Sequence, residues 1–362
     1  MSTCEPPPMP YAPPAPARGG RLLWLWLLLA LVALVLVAAG ATVLLLSRRW
    51  DGRAATGDAA ITVRLLGADG AKPSGDAVQQ TRKILLERMR QLDLERPTVT
   101  AQGDDTLLVT AAAKDAERVK AVLVPGNLTF RLVLGQVSAP GDAGCKADPQ
   151  APTGRAAALE SAKGKLGAAY DAAVALKEPA EASAAGALTG FDTLTCAEVA
   201  ALPPAVQYNV PGVTCAMLDG RPAGGVEDGA QGVACDEGRI KYLMDVAEVT
   251  GADLASAKAQ NDPQAGGWNV LIRFSAGGQP RWTALTREAM DKGQSSGVSA
   301  QVAVLMDNQV VTAPAIQAVI PGDAQVSGGD LSSRDGASAL AATLSHGVLP
   351  LRLVITGVGS TP

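Results

Sequence analysis

The chain has 362 residues, of which 48% are hydrophobic and 18% are charged, so it can hold a membrane segment and two or three soluble units. Its 31 Lys and Arg against 35 Asp and Glu give a formal net charge of −4, which argues against a nucleic-acid binder, since such proteins normally carry a basic face. The single histidine, His346, argues against histidine-rich zinc sites and Ser-His-Asp catalysis, so the composition favours a protein that is not an enzyme.

The N-terminal part predicts a membrane anchor. Residues 1–21 are rich in proline, which is typical of a disordered tail, and we expect this tail on the cytoplasmic side. Residues 22–46 carry no charged side chain, and about 25 helical residues reach roughly 37 Å, enough to span a bilayer with some tilt. A cleavable signal peptide is the alternative, but its apolar region would be shorter. Cys4 precedes the apolar run, so it is not placed like the acylated cysteine of a lipoprotein.

After a linker at 47–60, the hydrophobic pattern predicts a regular base unit over residues 61–135. Its predicted elements are a strand at 61–66, a helix at 76–92 capped by Asp76, strands at 97–102 and 106–111, a helix at 114–123 and a strand at 128–134. The order β-α-β-β-α-β predicts a ferredoxin-like sheet with two helices on one face.

The rest of the chain predicts an insertion and a second α/β unit. Residues 136–235 are rich in Ala and Gly and contain four cysteines, and the Ala-rich stretch 154–190 is partly helical by propensity. We interpret this region as a loop-rich insertion without a core. Residues 236–357 predict a head subdomain. Its predicted elements are a strand at 239–244, a helix beginning near Ala252, a strand at 268–274, a helix at 279–290, two strands around the turn Asp307-Asn308, a helix capped by Ser333 and ended by Gly347, and a closing strand at 349–356. The predicted fold class is therefore α+β.

Two pairs of cysteines are disulfide candidates. Cys215 and Cys235 flank a Gly-rich loop, and closing it would remove about 3 kcal/mol of loop entropy from the unfolded chain on the entropic account. Cys145 and Cys196 form the second candidate pair. Zinc binding and free buried thiols are the alternatives, although the chain has no C-x-x-C pair. Oxidised pairs would place this region outside the cytoplasm.

Several segments resemble the SecD family, the accessory subunit of the bacterial protein-export channel. They are KILLERMRQLDLERPTVTAQGDDTLLV at 83–109, EVTGADLASAKA with WNVLIRFSAGG at 248–278, and VAVLMDNQVVTAPAIQ with AQVSGGDLSSRDGASALAATLSHGVLPLRL at 302–353. The resemblance covers about residues 20–357, and residues 136–235 contribute little to it. It implies a ferredoxin-like base, a movable head and a place outside the cytoplasmic membrane.

The resemblance also implies partners. SecD-type subunits act with SecF beside the export channel, so we expect channel subunits, a SecF-type subunit and unfolded polypeptide clients, but no cofactor. Family members carry further membrane helices with charged residues for proton passage, whereas residues 22–46 contain no ionisable group. We therefore expect no proton-conducting bundle in this chain itself. The alternative is an envelope scaffold that reuses the SecD head fold for protein–protein interaction.

Other residues have competing interpretations. The apolar runs 302–305 and 310–311, with Met306, could face a client peptide or form ordinary core strands. His346 could act as a pH sensor or as a favourable cation at a helix C-terminus. The pairs Asp104-Asp105 and Asp307-Asn308 are typical of turns. Since no nucleotide, metalloprotease or hydrolase motif is present, we predict no catalytic, cofactor-binding or metal residues.

Overall fold

The computed structural model describes residues 58–67, 71–139, 141–147, 154–181, 186–222, 224–237, 239–263, 267–296 and 300–360. The predicted tail at 1–21, the predicted span at 22–46 and most of the linker lie outside these ranges, so those interpretations stay predictions. Within the described ranges, no helix is both long and apolar enough to cross a membrane.

The strands, in chain order, are β1 (Asp58–Leu66), β2 (Thr98–Ala101), β3 (Thr106–Ala112), β4 (Leu128–Ser138), β5 (Gly232–Cys235), β6 (Ile240–Thr250), β7 (Leu254–Asp262), β8 (Gly267–Phe274), β9 (Val302–Met306), β10 (Gln309–Thr312), β11 (Ala324–Val326) and β12 (Arg352–Ser360). The α-helices are α1 (Gly75–Gln91), α2 (Ala116–Val122), α3 (Arg155–Leu166), α4 (Ala168–Ala175), α5 (Cys196–Ala201), α6 (Pro204–Asn209), α7 (Cys215–Asp219), α8 (Gly278–Ser296) and α9 (Arg334–Ser345).

The base sheet has the strand order β12-β1-β3-β2, and every neighbouring pair is antiparallel. Alternate residues of β1, namely Ile61, Val63 and Leu65, are buried in one cluster with Leu85 and Met89 of α1. The cluster forms because the apolar face of a strand and the apolar stripe of a helix are both removed from water. The strand at 61–66 and the hairpin around residues 103–105 are where the sequence predicts them.

The cap of α1 is Ser74 and not Asp76 as predicted. Ser74 has extended backbone angles, and its hydroxyl accepts a hydrogen bond from the Ala77 amide at 3.3 Å. Asp76 lies inside the first turn, where its carboxylate is still favourable near the positive end of the helix dipole. The cap of α9 agrees with the sequence, because the Ser333 hydroxyl accepts from Gly336 and Gly347 adopts a φ of 78° after the helix.

The fourth strand of the base was wrongly predicted. The segment predicted for that position begins β4, which pairs with β6 and β9 outside the base sheet. Instead β12, predicted to close the head, pairs with β1. The burial of the two strands gives the physical reason. The first six residues of β4 are buried on both faces, which suits a strand covered on both sides, whereas most of β12 is exposed, as on a sheet edge.

A closed barrel of five strands, ordered β10-β5-β6-β4-β9, continues the chain from the base. Its buried cluster includes Val133, Met244, Leu305 and Val310. A separate three-stranded sheet, ordered β11-β8-β7, packs with α8 and α9 around three aromatic rings. In this group Phe274 lies 5.3 Å from Trp282 and 5.8 Å from Phe130, as measured between ring centroids. The barrel and this sheet therefore share one core through β4.

The helix predicted to begin near Ala252 is wrong. Only a single 3₁₀ turn, Gly251–Asp253, is helical there, and β7 follows it and pairs antiparallel with β8. The Ala, Lys and Gln of this segment favour a helix locally, but the pairing overrides that preference. Ala257 is buried in the shared core, and the small side chains of β7 let α9 approach.

The insertion has a core, contrary to the prediction, and its Ala-rich stretch is helical in part, as its propensity indicates. It holds α3 to α7, and its buried cluster includes Phe191, Leu194, Val206 and Leu218 together with Val233 of β5. The composition concealed this core because much of the buried surface comes from alanine, as at Ala158, Ala162, Ala169 and Ala173.

Candidate functional site

The candidate site is the junction where the chain passes between the base and the barrel. The chain leaves the base after α2 and returns to the base after α9. Arg88 of α1 is fully buried and lies between the two passages. Its Nη1 donates to the carbonyl oxygens of Val122 (3.1 Å) and Val124 (2.5 Å), and its Nη2 donates to those of Pro125 (3.0 Å) and Gly347 (2.6 Å). One guanidinium group therefore binds both passages.

Asp307 holds the outgoing passage from the barrel side. It lies in the β9–β10 turn with a φ of 54°, and its carboxylate accepts from the amides of Gly126 (3.1 Å) and Asn127 (3.0 Å). Burial raises the pKa of Asp307, while these amides and the charge of Arg88 oppose the rise. A Cβ on Gly126 would lie only 2.7 Å from the Arg88 guanidinium, and its φ is +85°, so glycine is required there.

Asn308, the second residue of that turn, binds the insertion. Its Nδ2 donates to the carbonyl oxygens of Arg221 (2.7 Å) and Pro222 (3.2 Å). The sequence identified this pair as a turn, which the structure confirms, but not the contacts that the two side chains make beyond it. The pair Asp104-Asp105 lies in the β2–β3 turn, where the exposed Asp104 binds Lys72 and the partly buried Asp105 binds Arg64. The two carboxylates thus bind separate cations.

His346 is the C-cap residue of α9. Burial lowers the pKa of its imidazole, and the charge of Arg88 lowers it further, whereas Glu87 raises it. The pH-sensor interpretation and that of a cation at the helix end both stay predictions.

The apolar run at 302–305 is buried, as is Val310, whereas Met306 and Val311 are partly buried. Alternate residues of β9 face the barrel core and the core around the aromatic rings. These strands are thus core strands. The sequence allowed two interpretations, core strands or a client-binding surface, and the burial favours the first.

A second buried cation joins the barrel to the insertion. Lys241 of β6 is 1% exposed, and its Nζ donates to the carbonyl oxygens of Gln207 (2.9 Å), Val210 (3.1 Å) and Tyr208 (3.4 Å) at the end of α6. Burial lowers the pKa of this amine to about 7. Arg221 binds the same glutamine through Oε1 at 2.8 Å, and burial lowers its pKa to about 9.

The four cysteines of the insertion form two disulfides. Cys145 is joined to Cys196, with Cα atoms 4.9 Å apart, and Cys215 is joined to Cys235, with Cα atoms 5.5 Å apart. The second bond connects α7 to β5 of the barrel. No group of His, Cys, Asp and Glu side chains within the described ranges could hold a metal ion.

Removing the Cys215–Cys235 bond by a double Cys→Ser change is expected to lower the free energy of unfolding by about 3 kcal/mol, because the unfolded chain gains loop entropy. Denaturant titration of the purified full chain measures the change. Alkylation before reduction should modify Cys4 alone, and labelling of any of the other four cysteines in the native protein would contradict the bonded state.

Comparison with known proteins shows which family resembles this chain. Residues 230–351 match the family described as the SecDF P1 head subdomain. This range begins just before β5, contains the three-stranded sheet and α9, and ends before β12. In this range the chain is similar to the SecD family. The resemblance found in the sequence is thereby confirmed.

Three SecD-type relatives show how far the similarity extends. The protein translocase subunit SecD of Streptomyces coelicolor is 32% identical over 133 residues, which are 35% of this chain and 22% of that relative. SecD of Acetobacter pasteurianus is 26% identical over 295 residues, 80% of this chain and 39% of the relative. SecDF of Thermus thermophilus is 36% identical over 111 residues, 30% of this chain and 14% of the relative. The matched part thus spans well under half of these SecD-type proteins.

Solved SecDF structures also overlap this chain. A structure described as a membrane component SecDF that enhances protein export covers 83% of this chain and 100% of its own, with 21% identity and a TM-score of 0.43. SecDF in a super-membrane-facing form covers 83% of this chain and 30% of its own, with 21% identity and a TM-score of 0.44.

Proposed function

We propose that this protein is a membrane-anchored accessory of protein export whose extracytoplasmic region binds translocating polypeptide or the export channel. The observation that carries this proposal is the match of residues 230–351 to the SecDF P1 head subdomain. The SecD relatives are named protein translocase subunits. In this proposal the chain acts by binding and is not an enzyme.

The placement outside the cytoplasm has two supports. The two disulfides suit an oxidising compartment, because thiols in the bacterial cytoplasm are kept reduced. The uncharged run at 22–46 has the length of a single transmembrane anchor in the cytoplasmic membrane. We further propose that export-channel subunits and a SecF-type subunit are its partners in the membrane.

Photo-crosslinking in native membranes tests the proposal. We expect benzoylphenylalanine at Val319, an exposed position of the head, to capture many unfolded precursors while export is active. The matched control is Val174, an exposed apolar position in the insertion. Affinity purification in mild detergent should also recover channel subunits and a SecF-type subunit in near-equal amounts. Capture of one or two folded envelope proteins, with no channel subunit, would contradict export and favour the scaffold function.

A further inference from the structure

The five-stranded barrel has one joint that its own strands hardly form. Strands β5 and β10 are parallel neighbours, and within the described ranges their register consists of one residue pair, Gln309 beside Cys235. The joint between β4 and β6, by contrast, runs from Thr129 to Ser138 of β4. We call the joint between β5 and β10 the seam. Because one residue pair supplies few main-chain hydrogen bonds, other groups must hold the seam closed.

A segment of the insertion binds the β5 side of the seam. We call residues 215–222, which comprise α7 and the turn after it, the staple. Its first residue, Cys215, is bonded to Cys235, the residue of β5 that pairs with β10. The Arg221 Nη2 also donates to the Val233 carbonyl of β5 at 2.8 Å. The staple is therefore joined to β5 by one covalent bond and one hydrogen bond.

The same segment is bound from the β10 side. Asn308 directly precedes β10, and its Nδ2 donates to the carbonyl oxygens of Arg221 (2.7 Å) and Pro222 (3.2 Å). Asn308 and Arg221 are both buried, so water does not easily replace these bonds. The staple thus connects β5 to β10 at the place where the ladder between the two strands is shortest.

Opening of the seam would expose the core of the barrel. Ala234 of β5 and Val310 of β10 are at most 1% exposed, and they belong to one buried cluster with Met244. Without the disulfide, the staple would be held to β5 by the hydrogen bond of Arg221 and by packing. Local opening becomes more frequent when fewer links hold an element in place.

The second disulfide has a different position. Cys145 and Cys196 join two segments of the insertion, and neither cysteine belongs to a barrel strand. Main-chain bonds hold the same two segments together, since the Lys146 amide donates to the Leu194 carbonyl at 2.8 Å and the Cys196 amide donates to the Lys146 carbonyl at 3.2 Å. This bond is therefore a matched control for the one at the seam.

We propose that the Cys215–Cys235 bond is the closing link of the barrel, so that oxidation of these two thiols precedes any function that needs a closed barrel. In this step the two thiols pass two electrons and two protons to the disulfide of an extracytoplasmic donor, which becomes a dithiol while the Sγ–Sγ bond forms. The location of the donor rests on the proposed function, whereas the closing role of the bond does not.

Iodoacetamide labelling of an engineered cysteine in the barrel core measures opening of the seam. Val310→Cys reports from β10. Val133→Cys is its matched control, because Val133 is also 1% exposed and lies in the same cluster, but on β4, which pairs with β6 and β9. Cys4→Ser removes the remaining free thiol, so the reporter is the one thiol that can react in the oxidised chain. The full chain is labelled in nanodiscs.

Replacing Cys215 and Cys235 together by alanine should raise the labelling rate of Val310→Cys about a hundredfold, and that of Val133→Cys less than about tenfold. Replacing the other pair, Cys145 and Cys196, should change the rates of both reporters by the same factor, because that bond does not hold the seam. The ratio of the two rates therefore separates opening of the seam from a general loss of stability.

A variant on the other strand tests the staple with both disulfides in place. Asn308→Ala removes the bonds from the β10 side, so the labelling rate of Val310→Cys should rise about tenfold. Gln309→Ala, an exposed change beside it, is the control and should leave the rate unchanged. The disulfide and Asn308 act in series between the two strands. Asn308→Ala should therefore add less than about threefold once the disulfide is gone.

The outcomes decide the closing role and distinguish it from the proposed function. Equal increases at Val310→Cys and Val133→Cys after loss of the Cys215–Cys235 bond would overturn the closing role, and the export function would stand. If the double-alanine chain does not fold, an unchanged rate in Asn308→Ala would overturn it instead. Free Cys215 and Cys235 thiols in protein from native membranes would contradict the extracytoplasmic location, even if the oxidised bond closes the seam in the purified chain.

Discussion

Replacing Arg88 by methionine is expected to lower the free energy of unfolding by about 3–5 kcal/mol. The side chain is fully buried and donates to four main-chain carbonyl groups, two of which, Pro125 and Gly347, belong to different passages of the chain. Methionine fills a similar volume but donates no hydrogen bond, so all four carbonyl oxygens lose this partner, and that of Val122 loses it in a buried position. Urea denaturation of the full chain measures the loss.

Two further variants isolate the cause. Arg90→Met changes an exposed arginine of the same helix, which pairs with Glu87 at the surface, and it should cost less than about 1 kcal/mol. Arg88→Lys keeps the positive charge but not the guanidinium group, whose two terminal nitrogens donate to both passages. It should therefore recover only part of the lost unfolding free energy. An Arg88→Met variant as stable as Arg90→Met would contradict the role of Arg88 at both passages.

The second large effect is a pH dependence that originates at Lys241. In the folded protein its pKa is lowered to about 7, whereas an unfolded lysine has a pKa near 10.5. Between these values the unfolded state binds more protons, so the free energy of unfolding should rise with pH, by up to about 4–5 kcal/mol across the window. Below pH 7 the Lys241 amine is protonated in the folded and the unfolded state. This residue should therefore add no further pH dependence to the free energy of unfolding.

The test compares Lys241→Met with the wild-type protein by denaturant titration between pH 6 and 10. The difference in unfolding free energy between the two proteins should change with pH only above about 7, because methionine does not titrate. Lys258→Met, an exposed change on β7, is the control and should leave the pH dependence of the unfolding free energy unchanged. Parallel pH profiles for wild type and Lys241→Met would overturn the assignment.

Elements with local signals were predictable from the sequence. The β2–β3 hairpin has a Gly-Asp-Asp turn between two apolar strands, and α9 has a serine at its start and a glycine after its end. Long-range pairing was not predictable. The fourth strand of the base is β12 and not β4, because β1 pairs with a segment far along the chain. Likewise β7 is a strand because it pairs with β8. Hydrophobic periodicity does not specify such partners.

The buried cations were missed for a different reason. Arg88 lies on the apolar stripe of α1 between Leu85 and Leu92, and Lys241 lies in a strand with Tyr242 and buried neighbours. A positive charge at a core-facing position was the available signal, because such a side chain must find carbonyl or carboxylate oxygens once it is buried. Their actual partners are carbonyl oxygens of distant segments, which no local pattern reveals.

The pairing of β12 with β1 has a consequence for the order of folding during synthesis. The Thr356 hydroxyl donates to the Thr62 carbonyl across a separation of 294 residues, so the base sheet can be completed only after β12 has been synthesised. Until then β1 has an open edge, while the barrel and the insertion between the two halves of the base have all their strands and helices available. The intervening units can therefore fold first on the nascent chain, and closure of the base is the late, slow step because its contact order is the highest.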